Sequence, residues 1–354
     1  MTAPAQGPLR LEITDVAFGG DGVARHEGRV VFVPLAAQGD TVDARVVEVR
    51  KGYLRAEIVK IVAPSPDREE PGCRHFGRCG GCCYQHLRYA SQLAVKERQV
   101  REALARIGKI PDAPVSPIIP SPQPYGYRNR IAVHAEGGVV GFWSRDGAAL
   151  VDVERCPIAS EEVNARLTDL RARAPARGHF SLREQGLPRS GFAQTNRFLR
   201  DALREAVTAA FAPGGEALFE GFCGSGFFTE ALATSFHDVE ACDVDARLLR
   251  DVPQLPNVTW RHGPAEEWLL RSKAEAVLLD PPREGLSRAI IGSLTKRPPG
   301  KFVYVSCDPA TLARDAARLA PALRLASVQP IDLFPQTAQI ECVAMFWQPE
   351  SESP

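Results

Sequence analysis

From about residue 193 onward the chain alternates strand-like and helix-like segments, and that rhythm constrains its fold more than any other feature. Residues 217–221, 239–243, 276–279 and 302–306 read as strands, and 228–235 reads as a helix. Strands separated by helices line up in parallel, with helices covering both faces of the sheet. In such open α/β folds ligands bind beyond the carboxyl ends of the strands. Three of those ends carry unusual turns.

The first turn is Glu220-Gly221-Phe222-Cys223-Gly224-Ser225-Gly226. Gly224 and Gly226 allow the backbone to approach a nucleotide-like ligand closely, although glycines also serve plain tight turns. Asp243 ends the next strand, where a carboxylate commonly takes ribose hydroxyls; it would equally suit a helix N-cap. The second is Asp280-Pro281-Pro282-Arg283-Glu284-Gly285, in which two prolines after an aspartate force an abrupt exit from the sheet. The third, Ser306-Cys307-Asp308-Pro309, places a cysteine between a strand end and a helix start. There the helix dipole and its orphan N–H groups favour a thiolate, which predicts a lowered pKa for Cys307. Asp308 opposes that effect, because a neighbouring carboxylate disfavours a second anion. Cys223 and Cys242 fit small buried core thiols better. Glu341, closing Asp332-Leu333-Phe334-Pro335-Gln336-Thr337-Ala338-Gln339-Ile340-Glu341, is by itself a surface carboxylate.

The N-terminal third is different in kind. Strand-like stretches at 9–13, 30–33, 41–49 and 54–61, punctuated by Gly19, Gly20, Gly22, Gly28, Gly39 and Gly52, predict a small OB-like barrel, a common nucleic-acid module. Residues 89–107 carry a helical stripe of Leu93, Val100, Leu104 and Ile107, with Gly108 as the stop. The proline-rich 111–124 reads as an extended crossover. Strands follow at 130–134, 139–143 and 150–153, then a helix at 160–172.

Four of the nine cysteines crowd into Cys73, Cys79, Cys82 and Cys83. With no apolar run of membrane-spanning length and no signal-peptide core, the expected compartment is the cytoplasm, where thiols stay reduced. Crowding there points to ligation of a metal or a cluster rather than to disulfides. The spacing Cys73-x5-Cys79-x2-Cys82 matches neither a zinc finger nor the usual ferredoxin pattern, and zinc stays open. A fourth soft ligand is needed, and Cys156 is the best distant candidate.

Charge adds little. The net charge is zero, but residues 1–110 hold 17 Lys and Arg against 13 Asp and Glu, and 125–204 hold 13 against 9. Residues 205–354 are acidic, with 13 against 20. Phosphate contact would therefore fall mainly on the N-terminal and middle regions.

Taken together, these segments resemble the RNA uridine-5-methyltransferase family, in its branch with an N-terminal TRAM barrel and an iron–sulfur cluster. Gly19 to Arg25 and Val31-Phe32-Val33-Pro34 look like TRAM. Tyr125-Gly126-Tyr127-Arg128-Asn129-Arg130, Phe192-Ala193-Gln194-Thr195-Asn196, Asp280-Pro281-Pro282-Arg283 and Ser306-Cys307-Asp308-Pro309 complete the set. The resemblance implies an α/β, Rossmann-like class I methyltransferase domain (85–117 and 192–354), a TRAM barrel (1–63), and a small α+β cluster-bearing central domain (64–84 and 118–191). It implies Cys307 as nucleophile and Glu341 as proton acceptor. Gln194, Phe222, Asp243 and Asp280 would surround S-adenosylmethionine, together with Gly224 and Gly226. A structural [4Fe–4S] cluster would sit on Cys73, Cys79, Cys82 and Cys156. The chain departs from the pattern at Phe227 and Pro264, where polar cofactor contacts are usual, at Asp308, commonly asparagine, and at Gln339, commonly histidine. The expected partner is RNA, with 23S ribosomal RNA favoured over transfer RNA, and the expected state is a monomer away from membranes. The rival reading is a non-catalytic RNA-binding assembly factor on the same fold.

Overall fold

The computed structural model describes residues 7–187, 194–250 and 252–349. The chain divides into two compact units: Met1–Lys96 with Gln123–Glu184 and Phe334–Gln339, and Glu97–Pro122 with Gln185–Leu333 and Ile340–Pro354.

The first unit begins with six strands: β1 (Leu9–Glu12), β2 (Asp15–Val16), β3 (Asp21–His26), β4 (Arg29–Pro34), β5 (Thr41–Val49) and β6 (Tyr53–Ala63). They form one barrel-like sheet in the order β1-β5-β6-β4-β3-β2. Alternate residues turn inward, so Leu11, Ala24, Val31, Val33, Val42, Ala44, Leu54 and Ala56 fill its interior. β3 lies in the glycine-punctuated stretch that the sequence reading treats as turns. Asp40 closes the barrel: its carboxylate accepts from Ala37 N at 2.6 Å, Ser65 N at 2.9 Å and Arg68 Nη2 at 2.7 Å. Burial alone would raise its pKa, yet these donors hold the carboxyl below its ordinary range.

Helix α1 (Tyr89–Arg106) follows, and the boundary between the units falls within it. Val100 and Leu104 are buried as the stripe predicts, but Ile107 is 44% exposed. The helix ends at Arg106, so Ile107 leaves the helical path before it can join the buried face.

The first unit continues with β7 (Arg130–Glu136), β8 (Val139–Trp143), β9 (Leu150–Asp152), α2 (Glu161–Ala172) and β10 (Arg177–Arg183). These strands form a four-stranded antiparallel sheet ordered β10-β7-β8-β9. Val163, Leu167 and Leu170 of α2 pack on Ile131, Val133 and Val140 of the sheet. Ser160 caps α2 by accepting from Val163 N, with Glu161 and Glu162 in the first turn favouring the positive end of the dipole.

The second unit holds α3 (Arg200–Phe211), β11 (Gly215–Gly221), α4 (Thr229–Leu232), β12 (Phe236–Asp243), β13 (Val258–His262), α5 (Ala265–Arg271), β14 (Ala276–Leu279), α6 (Arg288–Lys296), β15 (Lys301–Ser306), α7 (Pro309–Leu319), β16 (Arg324–Ile331) and β17 (Glu341–Trp347). The sheet order is β13-β12-β11-β14-β15-β17-β16. β11 to β15 are parallel, as alternation with helices requires. β17 inserts antiparallel between β15 and β16. The proline-rich crossover is extended and lies along β16: Ser116 N donates to Val328 O and Ile119 N to Pro330 O, each at 2.9 Å. Phe219, Val277, Leu279, Phe302, Tyr304, Leu312 and Phe346 belong to the core of this unit.

Candidate active site

The parallel strands of the second unit end together at one edge of their sheet. Gly221 pairs with Cys242 on one side and Leu279 on the other, and Leu279 pairs with Tyr304. The residues just beyond these pairs are Asp243, the 222–226 turn, Asp280 and the approach to Cys307. β17 runs the opposite way, so its first residue starts at this same edge. Ser306 pairs with Cys342. The residue after Ser306 and the residue before Cys342 therefore come opposite each other, and those are Cys307 and Glu341. Antiparallel insertion is what joins a thiol to a carboxyl 34 positions on in sequence.

The glycine turn is built for approach. Phe222 adopts φ +62°, Gly224 φ +57° and Gly226 φ +87°, all left-handed. A Cβ placed on Gly224 would meet nothing within 4 Å, so that side of the turn is open. Asp243 is tied to it: the carboxylate accepts from Gly224 N at 2.9 Å and from Asp245 N at 2.8 Å. Asp243 thus braces the turn, a contact that its reading as a ligand residue did not include. Gln194 is buried ahead of α3, near a turn in which Asn196 donates to Ser121 Oγ at 3.1 Å. Phe192 and Ala193 of the same motif lie outside the described residues. Phe227 packs edge-on against Phe228 and lies beneath the guanidiniums of Arg200 and Arg204, at 5.5 and 4.8 Å. Pro264 is the N-cap of α5 in extended backbone and offers that helix no side-chain bond.

The expected lowering of the Cys307 pKa is not what the structure gives. Burial, then the Glu341 carboxylate, push the Cys307 thiol up to about 11; Arg283 pulls it down and Asp280 pushes it up again. The dipole argument fails locally because Asp308 is the N-cap of α7, and its carboxylate takes Thr311 N at 2.9 Å. That first-turn donor is taken by the cap. At neutral pH the resting cysteine therefore keeps its proton, and a base must remove it when a substrate arrives.

Glu341 is 6% exposed, not a surface group. Burial raises its pKa well above the usual carboxylate range, Asp280 adds to the rise and Arg283 opposes it. Burial raises Asp280 as well. A carboxyl whose pKa is raised in this way is a better proton acceptor than an exposed one. Two further groups escaped the sequence reading. Arg283, quoted only as part of a motif, is the cation acting on both Cys307 and Glu341. Glu220 is 1% exposed, accepts from Thr229 Oγ1 at 2.7 Å, and is pushed up to about 8 by burial and by Asp280. Its place at the head of the glycine motif was the available signal.

The Asp280–Arg283 turn is held by α7. Asp315, fully buried, accepts from Leu286 N at 2.9 Å, Tyr304 Oη at 3.2 Å, Arg314 Nε at 2.9 Å and Arg318 Nη1 at 3.2 Å. Thr311 Oγ1 donates to Arg283 O at 3.1 Å and Arg314 Nη2 to Glu284 O at 2.7 Å. Gly285, at φ +78°, is needed because a Cβ there would collide with Thr311 and Asp315. Nothing in the sequence pattern marks Asp315. Replacing it, Asp315→Ala, strands a buried hydroxyl and an amide, and is expected to destabilise the protein by roughly 2–4 kcal/mol. An unchanged urea unfolding midpoint would show that the carboxylate is dispensable.

In the first unit Cys73, Cys79, Cys82 and Cys156 line one cavity of about 200 Å³, together with Gln85, Arg128 and Phe142. Among the described residues no three Cys, His, Asp or Glu side chains converge on a single metal ion. A cluster makes a different demand, since each iron takes one thiol and the four sulfurs stand apart. Cys82 and Cys156 are pushed up by burial to about 12 and about 11, and the Arg128 guanidinium pulls both down. Cys83 is a partly buried member of a separate apolar cluster containing Tyr84 and Leu87. Gln339 donates its backbone N–H to Thr337 Oγ1 at 3.3 Å.

Comparison with known proteins gives a consistent picture. Residues 9–59 match the family model of the TRAM domain, and 268–348 match that of tRNA (Uracil-5-)-methyltransferase. The chain is 32% identical over 376 residues to an uncharacterized RNA methyltransferase of Bdellovibrio bacteriovorus, across 97% of this chain and 96% of that protein. It is 30% identical over 427 residues to the 23S rRNA (uracil(1939)-C(5))-methyltransferase RlmD of Thiobacillus denitrificans, across 95% and 99%. A crystal structure of the Pyrococcus abyssi tRNA (uracil-54, C5)-methyltransferase with S-adenosyl-L-homocysteine matches its fold with TM-score 0.72, over 96% of this chain and 100% of that one, at 23% identity.

Proposed function

The chain belongs to the RNA (uracil-5-)methyltransferases, and on that premise we propose that it methylates carbon 5 of a uridine in 23S ribosomal RNA, with Cys307 as nucleophile and Glu341 as base. The observation that carries this reading is the apposition of Cys307 and Glu341 across β15 and β17, beside Asp280 and Arg283.

Carbon 5 of uracil is too weak a nucleophile to take a methyl group unaided. The Cys307 thiol loses its proton to solvent water, and its sulfur bonds to carbon 6 of the ring. The ring's π pair moves onto carbon 5 and the neighbouring carbonyl oxygen. S-adenosylmethionine, when bound, would supply an electrophilic methyl on its sulfonium to the electron-rich carbon 5, its carbon–sulfur bond breaking to leave the neutral thioether S-adenosylhomocysteine. Carbon 5 then carries both a methyl group and its original proton. Glu341 accepts that proton, the double bond re-forms, and the carbon–sulfur bond breaks to return the Cys307 thiolate. Arg283 supports the two steps that place negative charge near the sulfur. Asp280, the open 222–226 turn, Asp243 and Gln194 are the residues proposed to hold the methyl donor. A stacked base would be out of reach, so the target uridine is turned out of its helix or lies in a loop. No helix among the described residues is long and apolar enough to cross a membrane.

The ribosomal assignment follows the full-length relative named for 23S rRNA; the family model named for tRNA supports transfer RNA as the second reading. The deciding experiment incubates purified protein with labelled S-adenosylmethionine and RNA from a strain lacking it. Label recovered as 5-methyluridine in 23S rRNA is the expected outcome. Label in transfer RNA would favour the second reading, and label in neither would reject both.

The three-part division into a 1–63 barrel, a central domain of 64–84 with 118–191, and a methyltransferase domain of 85–117 with 192–354 belongs to this same reading. The thiol-lined cavity suits a [4Fe–4S] cluster on Cys73, Cys79, Cys82 and Cys156, with the Arg128 guanidinium offsetting its negative charge. Anaerobically purified protein should be brown and contain about four irons per chain, and Cys156→Ser should lose most of them. Colourless protein containing zinc would reject the cluster.

A further inference from the structure

Two arginines of the second unit stand together without a counter-charge. Arg200 opens α3 and Arg204 lies one helical turn on, so both project from the same side of a helix that buries Leu203, Val207 and Phe211. Their guanidiniums share one ring. Phe227, the residue after Gly226, has Arg200 at 5.5 Å and Arg204 at 4.8 Å from its ring centre. Among the described residues neither side chain makes an ion pair or a hydrogen bond, and Arg204 Nε is shielded from water with no acceptor.

This arrangement is costly as it stands. Like charges one helical turn apart repel, and a shielded donor without an acceptor is penalised. An aromatic ring attracts cations but does not neutralise them. What the ring does is hold two guanidinium forks side by side, and a small anion taken between them would remove both costs.

The surroundings indicate which anion. The pair adjoins the glycine turn through Phe227, and that turn is open on the Gly224 side. α3 begins six residues after Gln194. S-adenosylmethionine carries a sulfonium and an ammonium, which suit the carboxyls at the strand ends, but also a carboxylate, which needs a cation of its own. Arg283 acts instead on Cys307 and Glu341, at the reacting end.

We propose that Arg200 and Arg204, fixed on the Phe227 ring, receive the carboxylate of S-adenosylmethionine's amino-acid end. The inference rests on the functional reading above and deepens it, since it makes the site select donors that keep this carboxylate. Phe227 is then a positioning residue. An RNA phosphate is the other anion the protein would meet, but a site with one donor already out of water suits a small ligand better than a polymer backbone.

The test is calorimetric titration of the full-length protein, without RNA, using S-adenosylmethionine and its decarboxylated form, which keeps the sulfonium and the amine. The wild type should prefer the intact donor by about 10- to 100-fold. Arg200→Gln and Arg204→Gln should each erase most of that preference by weakening the intact donor and leaving the decarboxylated one unchanged. Phe227→Leu should narrow it too, as the guanidiniums lose their platform. A preference unchanged in both arginine variants would overturn the proposal, as would equal weakening of the two donors, the mark of a structural role. Arginine variants that keep the preference but flatten the salt dependence of RNA binding by about one contact would assign the pair to phosphate and overturn it as well. If the wild type binds neither donor, it is the methyltransferase reading that fails, and this inference falls with it.

Discussion

The Cys307→Ala variant is expected to transfer no measurable methyl group, a loss on the order of 10⁴- to 10⁶-fold as for other removed nucleophiles. RNA and S-adenosylmethionine should still bind. The expectation follows from chemistry before geometry, because uracil does not become nucleophilic at carbon 5 until something adds at carbon 6. Geometry then leaves one candidate among the cysteines of the strand-end unit. Cys223, Cys242 and Cys342 are buried in the same unit, whereas Cys307 is partly open at the strand-end edge. Cys307→Ser is a sharper version, since it keeps the shape and hydrogen bonding of the site and removes the sulfur. Substantial turnover by either variant would reject the covalent route.

Glu341→Gln should fail at a different point. Its amide cannot accept the proton from carbon 5, so sulfur addition and methyl transfer go forward while release does not. The expected product is protein covalently joined to methylated RNA, visible as a species that survives denaturation. The substitution also removes the carboxylate that helps push the Cys307 thiol up to about 11, so the first addition should become easier as release becomes harder. Free product released at the wild-type rate would deny Glu341 this part.

Most of the strand-end edge was legible in the sequence because each strand there finishes in a turn with few alternatives. Asp280-Pro281-Pro282 can do little but leave the sheet, and Gly224 and Gly226 mark left-handed backbone. Glu341 was visible only through family resemblance. Its burial depends on β17 entering antiparallel between β15 and β16, and neither β16 nor β17 was singled out, since hairpin insertion leaves no periodic signature of its own. The same limit hid Asp315, whose partners lie on a strand, a turn and its own helix. α4 proved a single turn where 228–235 reads as a longer helix, because the chain passes directly from Leu232 through a turn into β12. The Cys307 pKa went the opposite way for a reason no linear motif contains. Asp308 was recognised as an opposing charge, but its capture of the Thr311 N–H, and the carboxyls brought in by two other strands, appear only once the sheet is assembled.

Peptide mapping of the trapped Glu341→Gln complex tests the chemistry most directly. After nuclease and protease digestion, the nucleotide should be found on the peptide containing Cys307, with a mass that includes the added methyl group. RNA joined to any other residue, or a Cys307 peptide recovered unmodified from an active preparation, would contradict it.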